Sequence, residues 1–323
     1  MSKFKRIENL SNSEYHHSPE YSGYVSSTQL KQYLRSPKHF KHCIDARIAS
    51  EETDAMQLGS LFHSLMECID FNRQELSLYD KWETEEIAVF QAPVNEKTGK
   101  PYGASSNVYQ SALEIFIGSN EGKILTTPEE VQLVKGMADA MFYKSGSTSR
   151  KLRAFFKAVK SREVSYFYED EESGVKLKIR PDMLTNSRVI DWKTTALSDL
   201  SEDSIAKAIL NYGYHISLSM YQYVLHEIAG KWYTPLLVFV QKQAPHDCVI
   251  CDISEWCYEY NEDLDDVVLG VGAMEFTRLL SLHKECLSKG VWNGAESLIP
   301  KENKSIMKPR VPAWYSIKIM TDE

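Results

Sequence analysis

The chain contains no apolar run of about 18 residues, so nothing in it predicts a membrane span. Its opening stretch, MSKFKRIENLSNSEYHHSPEYSG, has no apolar segment of the kind found in secretory signals, and residues 1–24 read as a flexible polar arm. Six cysteines without such a signal point to reduced thiols and a cytoplasmic setting. There is no internal repeat and no low-complexity linker. Positive charge is in deficit: 37 Lys and Arg stand against 45 Asp and Glu, a net charge of −8. That argues against a passive DNA coat and leaves room for a local basic surface.

What is present is the composition of a globular protein, 43% hydrophobic and 25% charged over 323 residues, enough for one large domain or two small ones. Basic residues gather in LKQYLRSPKHFKH (Lys31, Arg35, Lys38, Lys41) and in SRKLRAFFKAVKSR (Arg150, Lys151, Arg153, Lys157, Lys160, Arg162). Each alone reads as a solvated helix face. Acid lies elsewhere, in NEDLDD and the final TDE, a segregation that suggests a basic groove on an acidic body.

Helix signals come first along the chain. Ser or Thr caps SSTQLKQYL, and Pro37 breaks it. DAMQLGSLFHSLMECID places Leu58, Leu61, Phe62, Leu65 and Ile69 on a buried stripe, with His63 and Glu67 together on another face. Residues 91–107 hold two prolines and two glycines and read as a long loop. TPEEVQLVKGMADAMFYK opens a helix at Thr127 and Pro128. The period then changes: REVSYFYED, GVKLKIRPD and RVIDWKTT alternate as strands. SIAKAIL and YHISLSMYQYVLHEIAG are helical, YTPLLVFVQKQ and DCVICDI are strands, and the chain after Ser254 reads as helical again. This order predicts an α/β fold, a central mixed β-sheet flanked by helices, in one domain over 25–323. Its core spans residues 55–252, and 254–323 form a helical and irregular extension.

The stretch KIRPDMLTNSRVIDWKTT carries the chemistry. Side chains alternate along a strand, so Asp191 and Lys193 share a face and Trp192 takes the other, its carbonyl still near the pair. A hairpin can bring Asp182, at the end of the preceding strand, beside Asp191. Two close carboxylates repel each other, and a hard cation between them removes the repulsion. Mg²⁺ keeps several waters and can activate one against a phosphodiester. Lys193 can help deprotonate or orient that water and offset charge on the phosphate. An ordinary exposed hairpin is the competing reading, since Asp-x-Lys alone arises by chance. Pro-Asp at a strand end, the short loop, the apolar strand and Glu163 opening the strand before together favour a site.

These motifs resemble those of the PD-(D/E)xK nucleases, here Pro181-Asp182 and Asp191-Trp192-Lys193. Within them the chain looks most like the exodeoxyribonuclease VIII-type (RecE-like) alkaline exonucleases of phages and mobile elements, cousins of phage lambda exonuclease. SSTQLKQYLRSPKHF, LGSLFHSLME, RPDML…VIDWKTT, YHISLSMYQY, FVQKQAPHDCVICDI and CLSKGVWNG…VPAW are each similar to family segments, covering Val25 to Trp314. The resemblance implies that Asp182 and Asp191 hold the metal, helped by the Trp192 carbonyl, and that Lys193 acts on the water. It implies that Glu163 holds the metal or a water on it, and that His63 lies near the metal. Alone, His63 would read as a core histidine. Glu67 either orients His63 or faces solvent.

The same resemblance implies Mg²⁺ as cofactor, with Mn²⁺ able to substitute. It implies digestion of one strand of linear double-stranded DNA 5′ to 3′, leaving 3′ overhangs for a single-strand annealing protein in recombination. A ring-shaped homo-oligomer, trimer or tetramer, would thread the DNA ends. A 5′-phosphate pocket would draw on Ser27, Thr28 and Arg35, although helix capping explains the first two as well. Tyr221 either contacts DNA or fills the core. The chain departs from the family at Ser217, where a Gln is usual four residues before Tyr221; Gln222 is adjacent but on another face.

Cys248-x₂-Cys251-x₅-Cys257 resembles the distal part of the iron–sulfur clasp of related helicase-nucleases. The upstream Cys-Pro of such clasps is here Ser36-Pro37, the spacing of Cys43 is wrong, and Cys248 and Cys251 would face opposite ways in a strand. The sequence therefore predicts no cluster. Two other functional readings stand beside the exonuclease. One is an endonuclease or helicase-linked module with the same chemistry. The other is a DNA-binding assembly protein with an idle nuclease site, against which the presence of Asp182, Asp191 and Lys193 speaks.

Overall fold

The computed structural model describes residues 4–46, 54–71, 79–261, 266–299, 306, 307 and 309. The pattern RVIDWKTT forms β8 (Arg188–Thr195), which is covered on both faces: Val189 enters one apolar core, and Ile190 and Trp192 enter another. β9 (Thr234–Gln241) runs parallel to β8 and is almost wholly apolar, as a strand covered on both sides must be. β10 (Cys248–Asp252) pairs antiparallel with β9, and the short β7 (Met183–Leu184) and β4 (Ser161–Arg162) extend the other side. The result is a mixed five-stranded sheet in the order β10-β9-β8-β7-β4.

Helices cover both faces, as the change of period predicts. One core takes side chains from α2 (Ser27–Leu30), α3 (Pro37–Asp45), α8 (Glu202–Tyr212), α9 (Tyr214–Ala229) and α10 (Val271–Lys289). The opposite core takes them from α4 (Asp54–Cys68), α6 (Pro128–Asp139) and α7 (Ser147–Lys157). Past the 91–107 loop, α5 (Asn107–Ser119) buries none of its residues, and β2 (Ile87–Val89) and β3 (Ile124–Thr126) make a small parallel pair.

The structure departs from the sequence reading in four places. The three-strand meander is split: β5 (Ser165–Glu169) and β6 (Lys176–Ile179) join β1 (Phe4–Ile7) in a separate sheet. Pro181, with no N–H to give a ladder, separates β6 from β7, and Glu163, at φ +48°, separates β4 from β5. Residues 4–24, expected as a flexible arm, are built into the fold: β1 pairs with β5, and α1 (Asn12–His17) and the turn after it set Tyr15 and Tyr21 against Phe167. Aromatic side chains scattered among polar ones supply that anchor. Pro37 does not simply end a helix but opens α3, where Ser36 Oγ accepts the His39 N–H at 3.1 Å and the first turn has no use for a proline N–H.

After Ser254 the chain first makes a hairpin, β11 (Tyr258–Asn261) with β12 (Asp266–Leu269), and only then α10. Gln222 pins β11: its amide donates to Tyr233 O at 2.7 Å and Tyr258 O at 2.9 Å and accepts from Tyr258 N at 3.0 Å. Most of the extension past Ile299, including VPAW, and the centre of NEDLDD lie outside the described residues. Among the described residues no helix is long and apolar enough to cross a membrane.

Candidate metal centre

His63 reaches the site from α4, whose apolar stripe packs in the core beneath the sheet. Glu163 stands at the positive-φ kink between β4 and β5, and Asp182 directly precedes β7. The β7–β8 register pairs Met183 with Ile190, so one step further along Asp182 falls opposite Asp191. Asp182 Oδ2 accepts the Trp192 backbone N–H at 2.7 Å, which locks that end of the hairpin. His63 Nδ1 lies 3.5 Å from the same oxygen and 3.8 Å from Glu163 Oε1. The ligand atoms of His63, Glu163 and Asp182 all lie within 4.8 Å of one another, the one such group of His, Cys or acid ligands found among the described residues. Beside it, Lys193 Nζ meets Asp191 Oδ2 at 2.5 Å on the face their alternation predicts.

The electrostatics follow from this crowding. Burial pushes the Asp182 carboxyl well above the usual carboxylate range; His63 opposes the shift, and Asp191 and Glu163 add to it. A buried carboxylate destabilised by two others is what a divalent cation relieves, and the mix of oxygens with one imidazole suits such an ion. Burial also disfavours a charged His63, but Asp182 and Glu163 outweigh it and raise the imidazole to about 9. For Lys193 burial again works against charge, yet Asp191 and Asp182 hold it above the usual lysine value, so it is an ammonium at neutral pH.

The other expected residues sort clearly. Trp192 meets the site through its N–H, while its ring packs 5.5 Å from Phe156 in the core. Burial, and then Asp191 among its charged neighbours, drive the Tyr221 hydroxyl well above its ordinary value, which sets it near the carboxylates. Ser217 is buried one turn earlier, its hydroxyl 3.5 Å from Gly213 O, and Gln222 is spent on β11 on another face. Glu67 reaches solvent and makes no hydrogen bond or ion pair with His63 among the described residues. Desolvation and then Glu163 raise it to about 7, and its carbonyl accepts from Arg162 at 2.7 Å. Ser27 is buried, and the cap of α2 is Ser26, whose Oγ accepts from Gln29 N. Thr28 and Arg35 are exposed, with Arg35 Nη1 3.3 Å from His39 Nε2. Among the described residues no hydrogen bond or ion pair joins Ser27, Thr28 or Arg35 to the carboxylates. Cys248 packs in one core and Cys251 and Cys257 in the other, so the three do not share a face.

Sequence reasoning passed over two residues at the rim. Arg180 donates to Ser165 Oγ at 2.9 Å, Asn12 Oδ1 at 2.9 Å and Leu10 O at 3.0 Å, with the Tyr15 ring 4.1 Å beneath it. It thereby ties the N-terminal segment to the Glu163 side of the site. Its place two residues before Asp182 was the available signal; nothing in the sequence marked Tyr15.

The model of a family described as a PDDEXK-like domain of unknown function (DUF3799) matches residues 26–290. Among solved structures the chain is similar in fold to a candidate exonuclease from Eubacterium rectale, at 12% identity and a TM-score of 0.50, with 96% of this chain and 98% of that one covered. No curated protein matches.

Proposed function

The chain belongs to the PDDEXK-like domain family, and on that premise we propose that it is a metal-dependent exodeoxyribonuclease acting at the ends of linear double-stranded DNA. The observation that carries this reading is the convergence of His63, Glu163 and Asp182 beside the Asp191–Lys193 pair. Asp182, Asp191, Glu163 and His63 would hold Mg²⁺, or Mn²⁺ in its place, with the Trp192 carbonyl as a further oxygen. Such a cation supplies a water of lowered pKa and positive charge facing the phosphate.

The chain's own residues prepare that chemistry. The Trp192 N–H holds Asp182 Oδ2 in position before substrate arrives. His63 must give up its proton to act as a ligand, so its neighbours hold a proton that binding displaces. Lys193, held as an ammonium beside Asp191, orients the attacking water and offsets negative charge growing on the phosphate. The fold likeness to the Eubacterium rectale protein supports action at DNA ends. The RecE-like motifs support 5′ to 3′ digestion, a 3′ overhang handed to a single-strand annealing protein, and a ring-shaped homo-oligomer.

Linear duplex labelled separately at its 5′ and 3′ ends, incubated with and without Mg²⁺, tests activity, metal need and polarity together. Early release of the 5′ label, only with Mg²⁺, is expected. Asp191→Ala should lower degradation by roughly 10³-fold or more with an unchanged circular dichroism spectrum. Full activity in that variant would remove the proposed site. Linearised closed circular plasmid would turn the reading to an endonuclease.

A further inference from the structure

The junction of α8 and α9 carries a row of side chains that the metal chemistry does not use. Gly213 joins the helices at φ +62°, in the left-handed region, and so places a tyrosine on either side of the turn. Tyr212 and Tyr214 stack with ring centroids 5.4 Å apart and planes inclined by 22°. Tyr214 is the inner member: Lys193 Nζ lies 5.0 Å from its centroid. Tyr212 is the outer one, 64% exposed, with no other ring against it among the described residues. The Tyr212 carbonyl accepts from Lys31 Nζ at 3.1 Å, which brings a second ammonium to the same edge from the turn that follows α2. Burial, and then the charge of Lys193, lower Lys31 to about 8, while Asp191 works the other way. Lys193 is already paired with Asp191, whereas among the described residues the Lys31 ammonium meets only a neutral carbonyl and can take an anion beside the Tyr212 ring.

We propose that this row is a nucleotide subsite: Tyr212 stacks a nucleobase, and Lys31 binds the backbone phosphate next to it. The strand is thereby led along Tyr214 towards Lys193 and the carboxylates. The proposal deepens the nuclease reading and rests on it for the identity of the ligand. An exposed aromatic face accepts any base, because every base has a π-face, so the subsite carries no sequence preference. A base can lie flat on Tyr212 only if it is unpaired or terminal. The subsite therefore selects frayed or tailed ends over the interior of a duplex, which is the selection an end-directed nuclease needs.

The test is fluorescence anisotropy with Ca²⁺ in place of Mg²⁺, so that binding is read without turnover. The probes are a short duplex with an unpaired tail and the same duplex with an abasic tail. Wild type should bind the base-bearing tail about ten-fold more tightly. Tyr212→Ala should erase that preference, and Tyr212→Phe should keep it. Lys31→Met should weaken both probes alike and reduce the slope of log affinity against log salt by roughly one. Melting curves check that the variants are folded. Degradation of linear duplex in Mg²⁺ by wild type is measured alongside. Degradation together with an undiminished base preference in Tyr212→Ala overturns the subsite and leaves the nuclease reading standing. A base preference lost in Tyr212→Ala, in a protein that cuts nothing, supports the subsite and overturns the nuclease reading. No binding of either probe by wild type overturns the subsite.

Discussion

His283 lies on α10 with 6% exposure, its Nδ1 2.8 Å from the Tyr33 hydroxyl and its ring edge-on to Phe40 at 5.1 Å. Burial lowers it from an ordinary 6.5 to about 4. Between those values the unfolded chain binds a proton that the folded chain refuses. The contribution of this residue to stability is therefore full above 6.5 and lost as pH falls towards 4, at up to roughly 1.4 kcal/mol per pH unit. Urea unfolding of wild type and His283→Gln across that window should show a shallower acid loss in the variant; equal slopes would mean the ring is not held neutral. His63 behaves oppositely, although it too is burdened by burial, because two carboxylates face it where His283 faces a hydroxyl and a benzene ring. Periodicity could place His63 on a helix face but could not tell these two environments apart. The Asp-x-Lys motif was needed to direct it to a site.

At the scale of elements, the turn between α8 and α9 depends on one residue. Gly213 occupies the left-handed region, and a Cβ there would stand 2.8 Å from Lys31 Cδ. Gly213→Ala should cost about 1–2 kcal/mol in denaturant unfolding, and Gly213→Asn less, since Asn enters that region more readily. An alanine variant as stable as wild type would rule out this account of the junction. β8, β9 and the helices α4, α6 and α9 were legible because each shows a strand alternation, an unbroken apolar run or a helical stripe. The split of the strand meander was not. A two-residue strand such as β7 has no period to read, and the decision between one sheet and two was taken by Pro181 and the kinked Glu163. The β11–β12 hairpin was missed for a related reason: its anchor is Gln222, a polar side chain bonded across 36 residues.

Across the whole molecule, the N-terminal segment is part of the fold. Phe167 is buried against Tyr15 and Tyr21, the latter stacked at 4.2 Å, and Lys178 Nζ donates to Tyr15 O at 2.7 Å. Deleting residues 1–24 should lower the melting temperature by roughly 5–10 °C, from the loss of two aromatic anchors and the β1–β5 ladder. An unchanged melting curve would return the segment to the status of a free arm. Local pattern by itself determined the α/β class, the strand character of β8, and the shared face of Asp191 and Lys193, because alternation and helical period are properties of neighbours in the chain. The meeting of His63 with Glu163 and Asp182, the placing of Lys31 beside Tyr212, and the seating of Tyr15 under Arg180 were decided only by tertiary structure. Each brings together residues far apart in sequence, and their separation in space is set by how sheets and helices pack, which no local period records.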